Sequence, residues 1–391
     1  LKRKKLAIIL SRFPYPIDKG DKLRAYHQII SLSQHFDIHL FALYEKIPSE
    51  SDFNTVKQYC TSIELYHLNR LTIAIQSGLS FLKKLPVQVG YFFSKKHKIK
   101  IQEAITSLKP DTIYCQLSRT ALYAYDLPFY KVIDFQDAFA MNYNRIQENA
   151  YGLKKWFYKR ESNRMKSFER QMLQWFDATT IISSFDKANL SVQPNQTVVI
   201  GNGVDYTFFS PQNIAKKYDL LFLGNLSYLP NQNAVRFLID EVIPKLLLQR
   251  PQLTINIAGA SMPSSYKAYN SPNITMSGWV EDIRNTYAEA KLFVAPLITG
   301  AGVQNKLLEA MSMALPCVTT SVVNASLQAV EGKQLIIANT CDEFVVQILN
   351  LLDNQEKQNR LSKEARRFIE ESYSWEKSNA KLAQVLNRQV I

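Results

Sequence analysis

The sequence predicts an α/β protein built from two doubly wound domains, each a parallel sheet covered by helices. Three observations carry that expectation. Short β-branched or apolar runs alternate with longer helical patterns, the order that yields parallel sheets buried on both faces. These runs fall about equally on either side of residue 205, and 391 residues suit two domains better than one. A hydrophobic content of 46% against 21% charged is that of a globular chain and excludes disorder.

The elements follow in order. The opening LKRKK is basic like the start of a signal peptide, but the apolar run 6–10 is too short for one, and Ser11 and Arg12 end it. Residues 5–10 therefore read as a buried first strand with a cationic lead-in. The runs 37–43, 62–68, 112–116, 131–135, 178–183 and 197–202 read as the other strands of the first domain. Residues 205–218 are polar, hold Pro211 and read as a linker. The second domain takes its strands from 219–225, 253–259, 273–278, 290–297, 315–320 and 334–339. Residues 374–390 read as a final amphipathic helix. No stretch has the apolar length that spans a bilayer. Cys60, Cys115, Cys317 and Cys341 lie far apart without metal-ligand spacing and read as free thiols in a reducing cytosol.

Four segments carry candidate chemistry. The loop 11–24 leaves the first strand and leads to a helix beginning near Asp21. Gly20 would permit close approach of a ligand, and a helix start attracts anions; a Pro-rich surface loop is the alternative. Residues 299–316 run from a strand through a glycine loop into a helix. Val303, Leu307, Leu308 and Met311 fit its buried face, and Asn305, Lys306, Glu309 and Ser312 the other. Amides at this helix start would hold a diphosphate with Lys306, while Glu309 would accept ribose hydroxyls. The alternative is a solvated Lys306–Glu309 pair at i,i+3. The strand 131–135 ends in Asp134 and Asp137, which would position an acceptor hydroxyl or cap the next helix. In 278–282, Asp282 reads as the N-cap of a helix starting at Ile283, and main-chain groups nearby, such as those of Val280, would meet a nucleobase edge.

The charge is directed. Residues 1–200 carry 29 basic and 17 acidic side chains, net +12; the rest carry 18 and 17, net +1. In 78–101, apolar and aromatic residues interleave with Lys83, Lys84, Lys95, Lys96, Lys98 and Lys100. A second basic cluster from Lys154 to Lys166 includes Trp156 and Phe157. Both patterns suit an anionic bilayer surface; core helices with solvated lysines are the alternative. No aromatic-rich nucleic-acid motif accompanies the charge, so no nucleic-acid partner is expected.

With these residues the chain resembles retaining glycosyltransferases of family 4, which have the GT-B fold. The resemblance covers nearly all of 5–391. It rests on Ile200-Gly-Asn-Gly-Val-Asp205 with Phe209 and Pro211, on Leu221-Phe-Leu-Gly-Asn-Leu226, on Gly278-Trp-Val-Glu-Asp282, and above all on Pro296 through Pro316. Gln304-Asn305-Lys306 and the loop 14–21 resemble a subgroup associated with exopolysaccharide synthesis. Three departures stand out. The first Glu of the family's E-x7-E is Ala301, an early Arg and Lys of the second domain become Asn225 and Asn231, and a His-Asp pair becomes Gln136-Asp137.

The resemblance implies two Rossmann-like domains facing a central cleft: residues 1–204 for the acceptor and 205–373 for the nucleotide sugar, with 374–391 returning as a helix to the first. It implies transfer of a sugar, with retention, from a nucleotide-sugar donor to a glycan or lipid-linked acceptor. Gly20, Asn225, Val280, Gly300, Ala301, Gly302, Val303, Gln304, Asn305, Lys306 and Glu309 would hold the donor; Asp134 and Asp137 would meet the acceptor. Asp137, Lys306 and Glu309 would serve catalysis. No cofactor or metal is expected, since no D-x-D occurs. The expected place is cytoplasmic, peripheral on the inner face of the membrane. The rivals are a nucleotide-sugar epimerase of the same architecture and a non-catalytic basic protein binding lipid or nucleic acid.

Overall fold

The computed structural model describes residues 3–148, 150–190, 197–298 and 303–389. The chain divides into two compact units, Leu1–Gly201 with Trp375–Ile391, and Asn202–Ser374.

The first unit is built on β1 (Lys4–Leu10), β2 (Phe36–Tyr44), β3 (Ser62–His67), β4 (Thr112–Gln116), β5 (Lys131–Asp134), β6 (Ala178–Ile181) and β7 (Thr197–Val199). Every strand pair is parallel, in the order β3-β2-β1-β4-β5-β6-β7. The pleat of β1 sends Ala7 and Ile9 into one core and Leu6, Ile8 and Leu10 into another on the opposite face. A run apolar on both faces is what a central parallel strand needs. A buried polar clamp ties the layers together. Arg24, on helix Gly20–Leu32, donates to both oxygens of Asp134 at 2.6 and 3.2 Å and to the Ile200 carbonyl at 2.9 Å. Tyr114 and Thr180 hydroxyls donate to the same carboxylate at 3.0 and 2.9 Å.

Helix Trp375–Leu386 packs on this first unit. Leu382, Val385 and Leu386 join the core of Leu6 and Ile8. Trp375 stacks on His27 with ring centres 4.8 Å apart, and Asn379 donates to the His27 carbonyl at 3.1 Å.

The second unit is built on β8 (Tyr218–Leu223), β9 (Ile255–Ala258), β10 (Ile274–Gly278), β11 (Ala290–Ala295), β12 (Cys317–Thr319) and β13 (Ile336–Ile337). Its parallel order, β10-β9-β8-β11-β12-β13, repeats the winding of the first. Strand order therefore reverses between β1 and β4 in one unit and between β8 and β11 in the other, and open α/β sheets bind ligands beyond the carboxyl ends at such points.

Segment 205–218 is not a free linker. Tyr206, Phe209 and Ile214 pack against the second core. Arg366 donates to the Phe209 and Tyr206 carbonyls at 2.9 and 3.1 Å. Its polarity misleads because Tyr206, Phe209 and Ile214 turn inward while Phe208 stays exposed. Among the described residues no helix is long and apolar enough to cross a membrane.

Candidate functional site

In the second unit the site begins where β8 ends. Gly224 and Gly259 let the ends of β8 and β9 close on each other: a Cβ at Gly259, where φ is +143°, would lie 1.8 Å from the Gly224 carbonyl oxygen. A Cβ at Gly224 would lie 2.8 Å from Asn231 Nδ2, so glycine there admits Asn231. The Asn231 amide donates to the Asn225 carbonyl at 2.8 Å, and its Oδ1 accepts from Lys306 Nζ. Asn225 itself closes a tight turn, its Oδ1 accepting from the amide and hydroxyl of Ser227 at 2.9 and 2.7 Å. That oxygen is thereby committed.

Helix Asn305–Ser312 follows β11. Gln304 is its N-cap residue, and the Gln304 carbonyl accepts from Leu307 N–H at 2.9 Å. Asn305 Oδ1 accepts from Asn202 Nδ2 at 3.1 Å, anchoring the helix start. Val303, Leu307, Leu308 and Met311 are buried in the core. Ser312 departs from the expected polar face: it is fully buried, and its hydroxyl donates to the Phe209 carbonyl at 2.7 Å.

Lys306 and Glu309 do not form the solvated pair that their spacing allows. Lys306 reaches Asn231 and lies 5.3 Å from the Phe222 ring centre. Glu309 accepts from the buried Tyr287 hydroxyl at 2.8 Å. Burial lowers the Lys306 pKa to about 7, against the pull of Glu309. Burial also raises the Glu309 carboxyl, opposed by the Tyr287 hydrogen bond and by Lys306. A cation held near its neutral point and a carboxylate oriented by a phenol sit beyond the switch point of this sheet. They suit a ligand carrying a diphosphate and hydroxyls.

The remaining residues expected at the donor scatter more. Val280 packs against the core between β10 and helix Ile283–Ala288, whose N-cap Asp282 accepts from Arg284 N–H at 2.9 Å. Gly20 opens helix Gly20–Leu32 in the first unit, where a Cβ would meet nothing within 4 Å. Gly300, Ala301 and Gly302 lie outside the described residues.

In the first unit the two acidic candidates part ways. Asp134 is fully buried and saturated by Arg24, Tyr114 and Thr180, so it braces the scaffold and is not an acceptor contact. Asp137 stays partly accessible, and its pKa rises to about 7, first through burial and then through the charge of Asp186. It does not cap helix Phe139–Glu148: Asp186 accepts from the Ala138 amide at 3.5 Å and Glu169 from the Ala140 amide at 3.1 Å. Sequence reasoning missed Tyr287 and these two carboxylates, because each reaches its partner through the packed fold and not along one helix.

Comparison with known proteins fits this geometry. Residues 217–354 match the family model described as glycosyl transferases group 1. An uncharacterized 44.6 kDa protein in the cps region of Klebsiella pneumoniae is 24% identical, over 95% of this chain and 97% of its own. Among solved structures, sucrose-phosphate synthase from Thermosynechococcus elongatus superposes with a TM-score of 0.71 at 15% identity, covering 99% of each chain. HepE of Anabaena, solved in complex with UDP, gives 0.69 at 14% identity, covering 98% of this chain and 100% of its own. The fold is that of the GT-B glycosyltransferases, and its second unit carries the match to glycosyl transferases group 1.

Proposed function

We propose that this chain moves a sugar, most simply a hexose, from a nucleotide-sugar donor to a glycan or lipid-linked acceptor, with retained anomeric configuration, in bacterial surface or exopolysaccharide synthesis. The observation that carries the reading is the pair Lys306 and Glu309, each oriented by its own partner beyond the ends of β8 and β11. Lys306 and the amides at the start of helix Asn305–Ser312 would stabilise the leaving diphosphate without a metal, and Glu309 would hold the ribose. Asp137, partly accessible in the first unit, would meet the acceptor. The match over 217–354 and a relative in a cps region support the class of reaction and its setting.

The reading includes work at the cytoplasmic face of an anionic membrane. On helix Arg70–Leu82, Leu71, Ile75 and Leu82 are exposed at helical spacing. Tyr151, Leu153 and Trp156 are exposed where helix Gly152–Trp175 begins. The Phe81 and Trp156 rings lie 6.3 Å apart and join the two sets, and exposed Lys83, Lys84, Lys154, Lys155 and Lys159 surround them. Apolar side chains ringed by lysines are what an interfacial surface needs.

The donor assignment is tested by melting the protein against a panel of nucleotide sugars. One class of nucleotide should raise the melting temperature, and Glu309→Gln should bind it roughly ten- to hundredfold more weakly, the loss of one charge-assisted bond. Unchanged affinity in that variant would remove Glu309 from the site.

A further inference from the structure

We infer that the first unit holds an oxyanion site at its own switch point, formed by Arg12, Arg119, Gln116, Ser118 and Gln136, and that it takes the phosphoryl group of a phosphate- or diphosphate-bearing acceptor. The acceptor clause rests on the glycosyl-transfer reading; the anion site does not.

Arg12 follows the end of β1, Gln116 closes β4 with Ser118 and Arg119 just beyond, and Gln136 lies two residues past β5. These are adjacent strands, and Gln116 pairs in register with Asp134. Arg12 and Arg119 share one carboxylate oxygen, Asp21 Oδ2, at 2.6 and 3.4 Å. Their guanidinium carbons lie 5.0 and 4.8 Å from the centre of the same Phe92 ring. Two cations thus stand side by side with one paired anion, and Asp137 is the other carboxylate whose charge Arg119 feels. Burial, and then the charge of Arg12, penalises the charged form of Arg119.

Unmatched donors accompany the two arginines. Neutral Gln116 Nε2, Ser118 Oγ and Gln136 Nε2, and the guanidinium Nε of Arg119, are buried with no hydrogen-bond partner among the described residues. Gln116, Ser118 and Gln136 are 3%, 1% and 7% exposed. Phe139 lies 5.9 Å from the Arg119 guanidinium, which brings the loop after β5 beside the loop after β4. Leu117 and Gln136 hold positive-φ backbone, at 67° and 60°, which residues other than glycine rarely adopt. Folded proteins seldom leave so many buried donors unmatched. Two guanidiniums with neutral donors match a group with three or more acceptor oxygens better than the two of a carboxylate.

The test is calorimetric titration of the full chain with inorganic pyrophosphate and, separately, farnesyl diphosphate. Wild type is compared with Arg12→Gln, Arg119→Gln and Lys306→Gln. A binding component that persists in Lys306→Gln should weaken roughly ten- to hundredfold in each arginine variant. Arg12 is the more exposed of the two, so its variant stands if Arg119→Gln fails to fold. Tighter binding of farnesyl diphosphate would place the phosphoryl group on a lipid carrier, and equal binding on a water-soluble acceptor; both support the site. Isotherms of the arginine variants that match wild type, or no component independent of Lys306, would overturn it. Nucleotide titration separates the two claims. If no nucleotide binds but the arginine-dependent component remains, glycosyl transfer fails and the anion site stands. If nucleotide binds without that component, the reverse holds.

Discussion

Lys306 makes the pH behaviour of the second unit predictable. Its folded pKa of about 7 lies below the ordinary 10.5. Between those values the unfolded chain holds the proton and the folded chain does not, so this residue's contribution to stability rises with pH from about 7 to about 10.5. Wild type should gain stability relative to Lys306→Met between pH 7 and pH 9.5 in urea titrations, and parallel curves would contradict the burial argument. A diphosphate at Lys306 would draw the proton back, so its affinity should fall as pH rises above 7. Arg24 makes a second case: Arg24→Met strands the buried Asp134 carboxylate and should cost about 3–5 kcal/mol, read from the same titrations. Lys306 and Glu309 were legible in the sequence because one helix turn brings them together. Their partners were not, since Asn231 lies 75 residues from Lys306 and Tyr287 lies 22 from Glu309. Only the winding of β8 beside β11 joins them. Asp134 misled for a related reason: a carboxylate at a strand end reads alike whether it faces a ligand or a buried arginine.

Elements were more legible than boundaries. Each strand run read from the sequence forms a strand, because parallel strands buried on both faces leave continuous apolar signatures. Segment 205–218 was misread since its anchoring depends on Arg366, more than 150 residues away. The final helix belongs to the first unit through Leu382, Val385 and Leu386. Leu386→Ala should cost about 2–5 kcal/mol through the cavity it leaves. Because the chain has two units, that loss should appear in one unfolding transition and not as a uniform shift. A single transition moved as a whole would show that the units unfold together.

At the scale of the molecule, charge and fold divide the labour. The net +12 on residues 1–200 coincides with exposed Leu71, Ile75, Leu82 and Trp156 in the first unit, while the second carries the helix start proposed for the diphosphate. Lysines near an anionic leaflet contribute about 1 kcal/mol each. Co-sedimentation with vesicles should therefore need anionic lipid, weaken with salt, and fall when Lys83, Lys84, Lys154 and Lys155 become Glu. Equal recovery with neutral and anionic vesicles would favour a water-soluble acceptor.

Sugar transfer itself is decided by product analysis. The protein is incubated with the nucleotide sugar that stabilises it, with and without a lipid extract from capsule-forming bacteria, in EDTA. Released nucleoside diphosphate and the anomeric configuration of the product are followed by NMR. A retaining transferase should give acceptor-dependent release, persistence in EDTA, retained configuration, and loss in Glu309→Gln. Conversion of the sugar with donor alone would instead identify an epimerase, and no turnover with any donor and acceptor would contradict transfer.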